Sequence, residues 1–220
     1  MRRAAVLVFV GLVLAGCGGS SGKEQSKSAD QIAKDARQAA RSATAVHVFG
    51  SVVERGRPLT LDLHLVRNRG AVGQMGLGGG TMKLVRVGAR VYMNGDARFW
   101  VAYGGPQVAR VYSGRWLRIP TSATQVAPFV RLTEIDQLFG GAVGAHGAIG
   151  KDGTKNYRGQ TVIVLKEFGS SGGSLYVAAT GKPYPVAIVS PNNGKEGTVS
   201  FDQWNKRVAI GVPKGVGASG

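Results

Sequence analysis

Leu59-Thr60-Leu61-Asp62-Leu63-His64-Leu65-Val66 alternates without a break. Leu59, Leu61, Leu63 and Leu65 fall on one side, and Thr60, Asp62 and His64 on the other. A period of two is the pattern of a strand with one face buried. Working outward, 46–54 reads as a strand, and Arg55-Gly56-Arg57-Pro58 as the turn between the two. On the far side, 71–77, 81–87 and 89–93 read as strands with glycines between them. Asn94-Gly95 reads as a turn, because both residues tolerate positive φ. Strands at this spacing, roughly ten residues apart, make an antiparallel meander.

The rhythm breaks over 97–138. Phe99, Trp100, Val101, Tyr103, Val108, Val111 and Tyr112 surround Gly104-Gly105-Pro106, which predicts one or two short helices. Trp116-Leu117-Arg118-Ile119 follows and ends at Pro120. A second helical stretch is predicted over 124–139, with Val126, Phe129, Val130, Ile135, Leu138 and Phe139 as its apolar set. Strands resume at 148–151, 161–167, 174–179, 186–190 and 198–204. Their turns are Asp152-Gly153, 169–173, Gly181-Lys182-Pro183 and Asn192-Asn193-Gly194, and 208–212 adds a short edge strand. Ahead of the meander, Ser28-Ala29-Asp30-Gln31 reads as a capping box: Ser28 accepts from the Gln31 amide and the Gln31 side chain reaches back. The helix it opens places Ile32, Ala36, Ala39, Ala40 and Ala43 on one face, with Lys34, Arg37 and Arg41 off it. The expected fold is α+β: a strongly curved antiparallel half-barrel of about ten strands, preceded by one helix. A helical insert covers its concave face, since a single sheet of that size must curl to bury its apolar side.

The N-terminus sets the compartment. Arg2 and Arg3 precede an apolar run from Ala4 to Ala15, which ends in Leu14-Ala15-Gly16-Cys17. A basic start, a short apolar core and small residues at a cleavage point make a secretory signal peptide. The run is about a dozen residues, short of the ~20 that a membrane-spanning helix needs. Cys after the cleavage point resembles the bacterial lipobox, which implies a diacylglycerol on Cys17 and cleavage before it. The expected organisation is a signal peptide over 1–16, lipidated Cys17 with a Gly/Ser tether over 17–28, one domain over 29–213 and a loose tail over 214–220. The protein is then held on the outer, extracytoplasmic face of the cell membrane. Cys17 is the single cysteine, so no intramolecular disulfide forms. The formal charge is +16, or +14 without Arg2 and Arg3. It is scattered, with pairs such as Lys206-Arg207 the densest clusters. Outside the cytoplasm this suits anionic headgroups or cell-wall polymers rather than nucleic acid.

Several stretches, taken in order, carry a resemblance. They are the lipobox, tether and Ala-rich helix, then Ala45-Val46-His47-Val48-Phe49-Gly50-Ser51-Val52. Tyr157-Arg158-Gly159-Gln160-Thr161-Val162, Lys182-Pro183-Tyr184-Pro185-Val186 and Val199-Ser200-Phe201-Asp202-Gln203-Trp204 follow. Together they resemble the LppX/LprAFG-type bacterial lipoproteins, whose fold is similar to that of the carriers LolA and LolB. The resemblance implies a curved half-barrel closed by helices. It also implies acylated lipids or glycolipids held in the cavity between and moved across the envelope. It brings no catalytic motif. The chain departs from the larger-pocket members in its 35 glycines and few bulky residues. Glycine leaves space, and whether a lipid or close packing uses that space stays open.

Other chemistry is sparse. Gly-x-Ser-x-Gly occurs over 18–22 and over 169–173, centred on Ser171, but a nucleophile elbow needs a following helix and Leu175-Tyr176-Val177 reads as a strand. The histidines are His47, His64 and His146; the first two lie on separate strands, and no acidic residue stands at ligand spacing, so no metal site is expected. Gly76-Leu77-Gly78-Gly79-Gly80 lacks the Gly-Lys-Ser/Thr of a phosphate loop. The expected reading is a monomeric, non-enzymatic lipoprotein without a cofactor. Its cavity wall is read as Leu59, Leu61, Leu63, Leu65, Met82, Leu84, Val91, Met93, Trp100 and Phe129, with Tyr103 and Trp116 as further lid aromatics. For each, core packing is the competing account. A second functional reading keeps the fold with a filled core, contacting an envelope protein or a cell-wall polymer.

Overall fold

A computed structural model describes residues 24–54, 56–124, 127–142, 147–168, 172–192 and 195–216. Residues 1–23, which span the expected signal peptide, Cys17 and the first part of the expected tether, lie outside them, as do Val126, His146, Ser171 and the last four residues.

Helix α1 (Ala29–Arg41) comes first, capped by Ser28, whose Oγ accepts from the Gln31 N–H at 3.2 Å. Half of the expected capping box forms: the Gln31 side chain donates forward to Asp35 Oδ1 instead of back to the cap. Asp30 in the first turn and Arg41 in the last complement the helix dipole. Ala29, Ile32, Ala33, Ala36, Ala39 and Ala40 are buried, so small side chains let the helix lie close on the sheet. Strands β1 (Ala45–Glu54), β2 (Arg57–Val66), β3 (Gly70–Leu77), β4 (Gly80–Val87) and β5 (Arg90–Gly95) form the meander.

The insert holds α2 (Ala97–Gly104), α3 (Pro106–Tyr112), β6 (Leu117–Pro120), α4 (Ala127–Leu132) and α5 (Ile135–Ala142). Strands β7 (Ala148–Tyr157), β8 (Gln160–Phe168), β9 (Ser174–Ala178), β10 (Pro185–Asn192) and β11 (Lys195–Asp202) follow. All belong to one sheet of eleven strands, ordered β6-β5-β4-β3-β2-β1-β11-β10-β9-β8-β7. Every pairing is antiparallel, and β1 against β11 is the seam where the two runs meet. The sheet is curved and does not close, so the fold is α+β as expected.

Five local readings change. The eleventh strand is β6, which pairs with β5 as Val91↔Ile119 and Tyr92↔Arg118. Asn94-Gly95 is the end of β5 rather than a turn, and Asp96 caps α2 by accepting from the Phe99 N–H at 2.8 Å. Asp152-Gly153 is an irregularity within β7; the turn comes at Arg158-Gly159, where both φ angles are positive (51° and 82°). Residues 208–212 form no strand. The predicted helix over 124–139 is two helices. Thr133 Oγ1 donates back to the Val130 carbonyl at 2.7 Å, and Glu134 leaves the helical line to pair with Arg86.

Glycine serves contact as well as curvature. A Cβ on Gly80 would stand 1.9 Å from the Phe99 backbone nitrogen, and one on Gly95 2.7 Å from Trp100 Nε1. Here glycine lets α2 lie directly on β4 and β5, so close packing consumes the space. Gly50, in mid β1, has φ +139° and a virtual Cβ 2.1 Å from the Thr198 carbonyl oxygen of β11.

The stretches behind the resemblance meet around the seam. Tyr184 stacks on Trp204 at 4.5 Å and 7°, and the Asn205 side-chain amide donates to the Tyr184 hydroxyl. Trp204 in turn lies against Phe139 of α5.

Candidate functional site

Register decides what lies under the helices. Leu61 pairs with Gly50 on one side and Met75 on the other, and Gly50 pairs with Val199, which pairs with Ile188. Residues directly opposite one another point to the same face. This row is therefore a continuous apolar floor across five strands, with glycine at its centre. Leu59, Val52 and Leu77 extend it towards one strand end, and Phe201 lies at the other.

A cleft of about 930 Å³ opens above this floor. Phe99, Ala102 and Tyr103 of α2, Phe129, Arg131 and Leu132 of α4, and Leu138 of α5 roof it. Apart from Arg57, Arg131 and the Tyr103 hydroxyl, every lining side chain is apolar. Both arginines belong to exposed residues and so stand at the rim. The volume sits near the upper end of the ~300–1,000 Å³ typical of ligand pockets. An apolar cleft with two cations at its edge can take a hydrocarbon chain and a negatively charged end group. Among the described residues, no nucleophile or general base lines it.

Of the residues named from sequence, Leu59, Leu61 and Phe129 line this cleft. Leu63, Leu65, Met82, Leu84, Val91 and Met93 share the inward face but are at most 2% exposed and are not among its lining residues. They pack into the main core with Ile32, Ala36 and Phe139. Trp100 is 4% exposed, set edge-on to Phe99 and Tyr103 as a core aromatic. Trp116 is half-buried outside the lining. The alternation reading missed Val52, Met75, Leu77, Ile188, Val199 and Phe201. Extending the same period of two through the strand pairing would have found them.

On the opposite, convex face, His47 and His64 are direct cross-strand partners. Asp62 and Asp202 carboxylate oxygens lie 3.0 and 2.8 Å from the His47 ring nitrogens. The expectation that no acidic residue stands at ligand spacing is thereby corrected: Asp62 shares a strand face with His64, and sheet pairing adds His47 and Asp202 beside them. Burial, and then the neighbouring His47, hold the His64 imidazole below its usual pKa. Behind the Gly-x-Ser-x-Gly match at 169–173 comes β9, not the helix that a nucleophile elbow requires. Gly78 and Gly79, with φ 58° and 77°, make the two-residue turn between β3 and β4 rather than a phosphate cradle. Among the described residues, no helix is long and apolar enough to cross a membrane.

Two solved structures share this architecture over most of their length. LprF from Mycobacterium bovis superposes with a TM-score of 0.61 at 13% identity, covering 84% of this chain and 96% of that one. The Mycobacterium tuberculosis lipoprotein LppX gives a TM-score of 0.55 at 12% identity, covering 83% and 98%. The fold is of the LppX/LprF type, as the resemblance in the sequence implied. No family model matches the sequence, and no curated protein sequence matches it.

Proposed function

We propose that this chain is a lipid-anchored lipoprotein of the cell envelope that shelters the acyl chains of a lipid or glycolipid and helps carry it between membranes. The apolar cleft of about 930 Å³ between sheet and insert carries the reading. Each methylene moved from water into such a cleft contributes ~0.8 kcal/mol. About ten methylenes therefore supply roughly 8 kcal/mol before ordering costs, with no polar contact needed. That is why a carrier of this kind needs no catalytic or binding motif. Arg57 and Arg131 at the rim suit an anionic headgroup. Exposed Val101, Val111 and Tyr112, beside exposed Arg98 and Arg110 on α2 and α3, suit an anionic bilayer surface. The open cleft supports a carrier over the alternative of a filled-core interaction protein.

In this reading, residues 1–16 are removed, Cys17 is acylated, and the residues to 28 tether a monomeric domain to the outer leaflet. The likeness to LppX, a mycobacterial lipoprotein, agrees with the lipobox. Cys17→Ser should shift most of the protein from the membrane to the soluble fraction on cell fractionation. Retention in the membrane would remove the anchor from the proposal. In the same variant all bound lipid is non-covalent. Native mass spectrometry of that protein should show an acylated adduct, or one-to-one uptake of a fluorescent fatty acid. Neither adduct nor uptake would count decisively against the carrier.

A further inference from the structure

The convex face holds a cluster that a lipid carrier does not use. His47 of β1 stands between His64 of β2 and Asp202 of β11 in the pairing register, and Asp62 shares their face. The two imidazoles are stacked, with centroids 4.3 Å apart and an 16° tilt. His47 Nδ1 lies 2.8 Å from Asp202 Oδ1, and its Nε2 lies 3.0 Å from Asp62 Oδ1. A neutral imidazole has one N–H, so it donates to only one of these carboxylates. With the proton on Nδ1 and given to Asp202, the Nε2 lone pair faces a carboxylate oxygen. That contact is repulsive unless a cation lies there. A second proton on His47 would relieve it, but would do nothing for His64 Nδ1, a buried atom with no hydrogen-bond partner. A divalent ion on His47 Nε2 answers the first deficit, and it answers the second when His64 binds it through Nδ1.

We infer that His47, His64 and Asp62 form a binding site for a divalent transition-metal ion, with Asp202 holding the His47 ring in place. The three residues each offer one ligand atom, and these atoms lie within 4.8 Å of one another. Bonds of about 2.0–2.1 Å in tetrahedral geometry bring ligands to roughly 3.3 Å apart. Asp62 Oδ1 already lies 3.0 Å from His47 Nε2, so the closure falls to the His64 ring, which turns out of its stack on His47 to aim a nitrogen at the ion. Two imidazoles and one carboxylate suit zinc and its neighbours, whereas magnesium and calcium take oxygen ligands. A carboxylate on the far nitrogen of a metal-bound histidine fixes its tautomer and orientation, the place Asp202 occupies. Side-chain exposures of 54% for Asp62 and 15% for His47 leave the fourth position to solvent. Phe49, stacked on His47 at 4.7 Å, closes one flank. The ion would tie β1 to β2 directly and to β11 through Asp202, stapling the sheet at its seam.

The test uses tag-free protein carrying Cys17→Ser, which removes the one thiol. Isothermal titration with Zn²⁺ alone should show one ion per chain, with no heat from Mg²⁺, and zinc should raise the melting temperature by several degrees. His64→Ala and Asp62→Ala should each weaken zinc binding by at least tenfold, and Asp202→Asn by about tenfold. Circular dichroism and fatty-acid uptake should be unchanged in the variants, which keeps this result separate from the carrier reading. No stoichiometric zinc binding, proton uptake by His47 in its place, or binding that survives His64→Ala overturns the site.

Discussion

Gly50→Ala should lower the melting temperature by roughly 10 °C, a large effect for a single methyl group. Gly50 sits mid-strand with φ +139°, where an L side chain costs about 1–3 kcal/mol. Its Cβ would lie 2.1 Å from the Thr198 carbonyl oxygen, far inside contact distance. Relief requires β1 and β11 to part between Phe49↔Ser200 and Ser51↔Thr198, the ladder that joins the two halves of the sheet. Overpacking of this kind costs a further ~1–3 kcal/mol. About 4 kcal/mol in total, at roughly 2–4 °C per kcal/mol for a chain of this size, gives the stated shift. Gly211→Ala is the control, because nothing lies within 4 Å of a Cβ there. Calorimetry of both variants decides the matter; equal melting temperatures would mean that the seam is not under this constraint.

Leu61→Trp combined with Val199→Trp should cut fatty-acid uptake by tenfold or more while moving the melting temperature by only about 3 °C. The two residues flank Gly50 on the cleft floor, and the indoles would project into open volume rather than into packed side chains. Tenfold corresponds to ~1.4 kcal/mol, less than two methylenes excluded from the cleft. Leu63, one inward position along the same strand, behaves oppositely. It is 1% exposed and outside the cleft, so Leu63→Ala should cost ~2–5 kcal/mol of stability. Unchanged uptake in the double variant would place the lipid elsewhere and remove the cleft as the binding site. Fluorescence titration at fixed protein concentration, with thermal melts alongside, provides both readouts.

These contrasts mark what was legible in the chain. Alternation at Leu59, Leu61, Leu63 and Leu65 and the glycine-punctuated strands after it stated the meander and its inward face. Both depend on neighbours two residues apart. Ser28 before an alanine-rich run marked the start of α1 for the same local reason. Leu61 and Leu63 carry the same local signal, yet one lines the cleft and the other lies in the core. The difference is where α1, α5 and the α2–α4 roof come to rest across the curled sheet, a long-range outcome that no window along the chain contains. Thr133 breaking the predicted helix, Gly80 and Gly95 admitting α2, and Asp152-Gly153 staying inside β7 were decided in the same way. The convex cluster is the clearest instance: His47 and Asp202 are far apart in the chain, and only antiparallel register puts them side by side. The amino-acid order by itself determined which residues face inward, because a strand's period is a property of its own backbone. Tertiary structure alone decided which of them meet each other, a helix or an open space, because pairing and curvature are properties of the whole sheet.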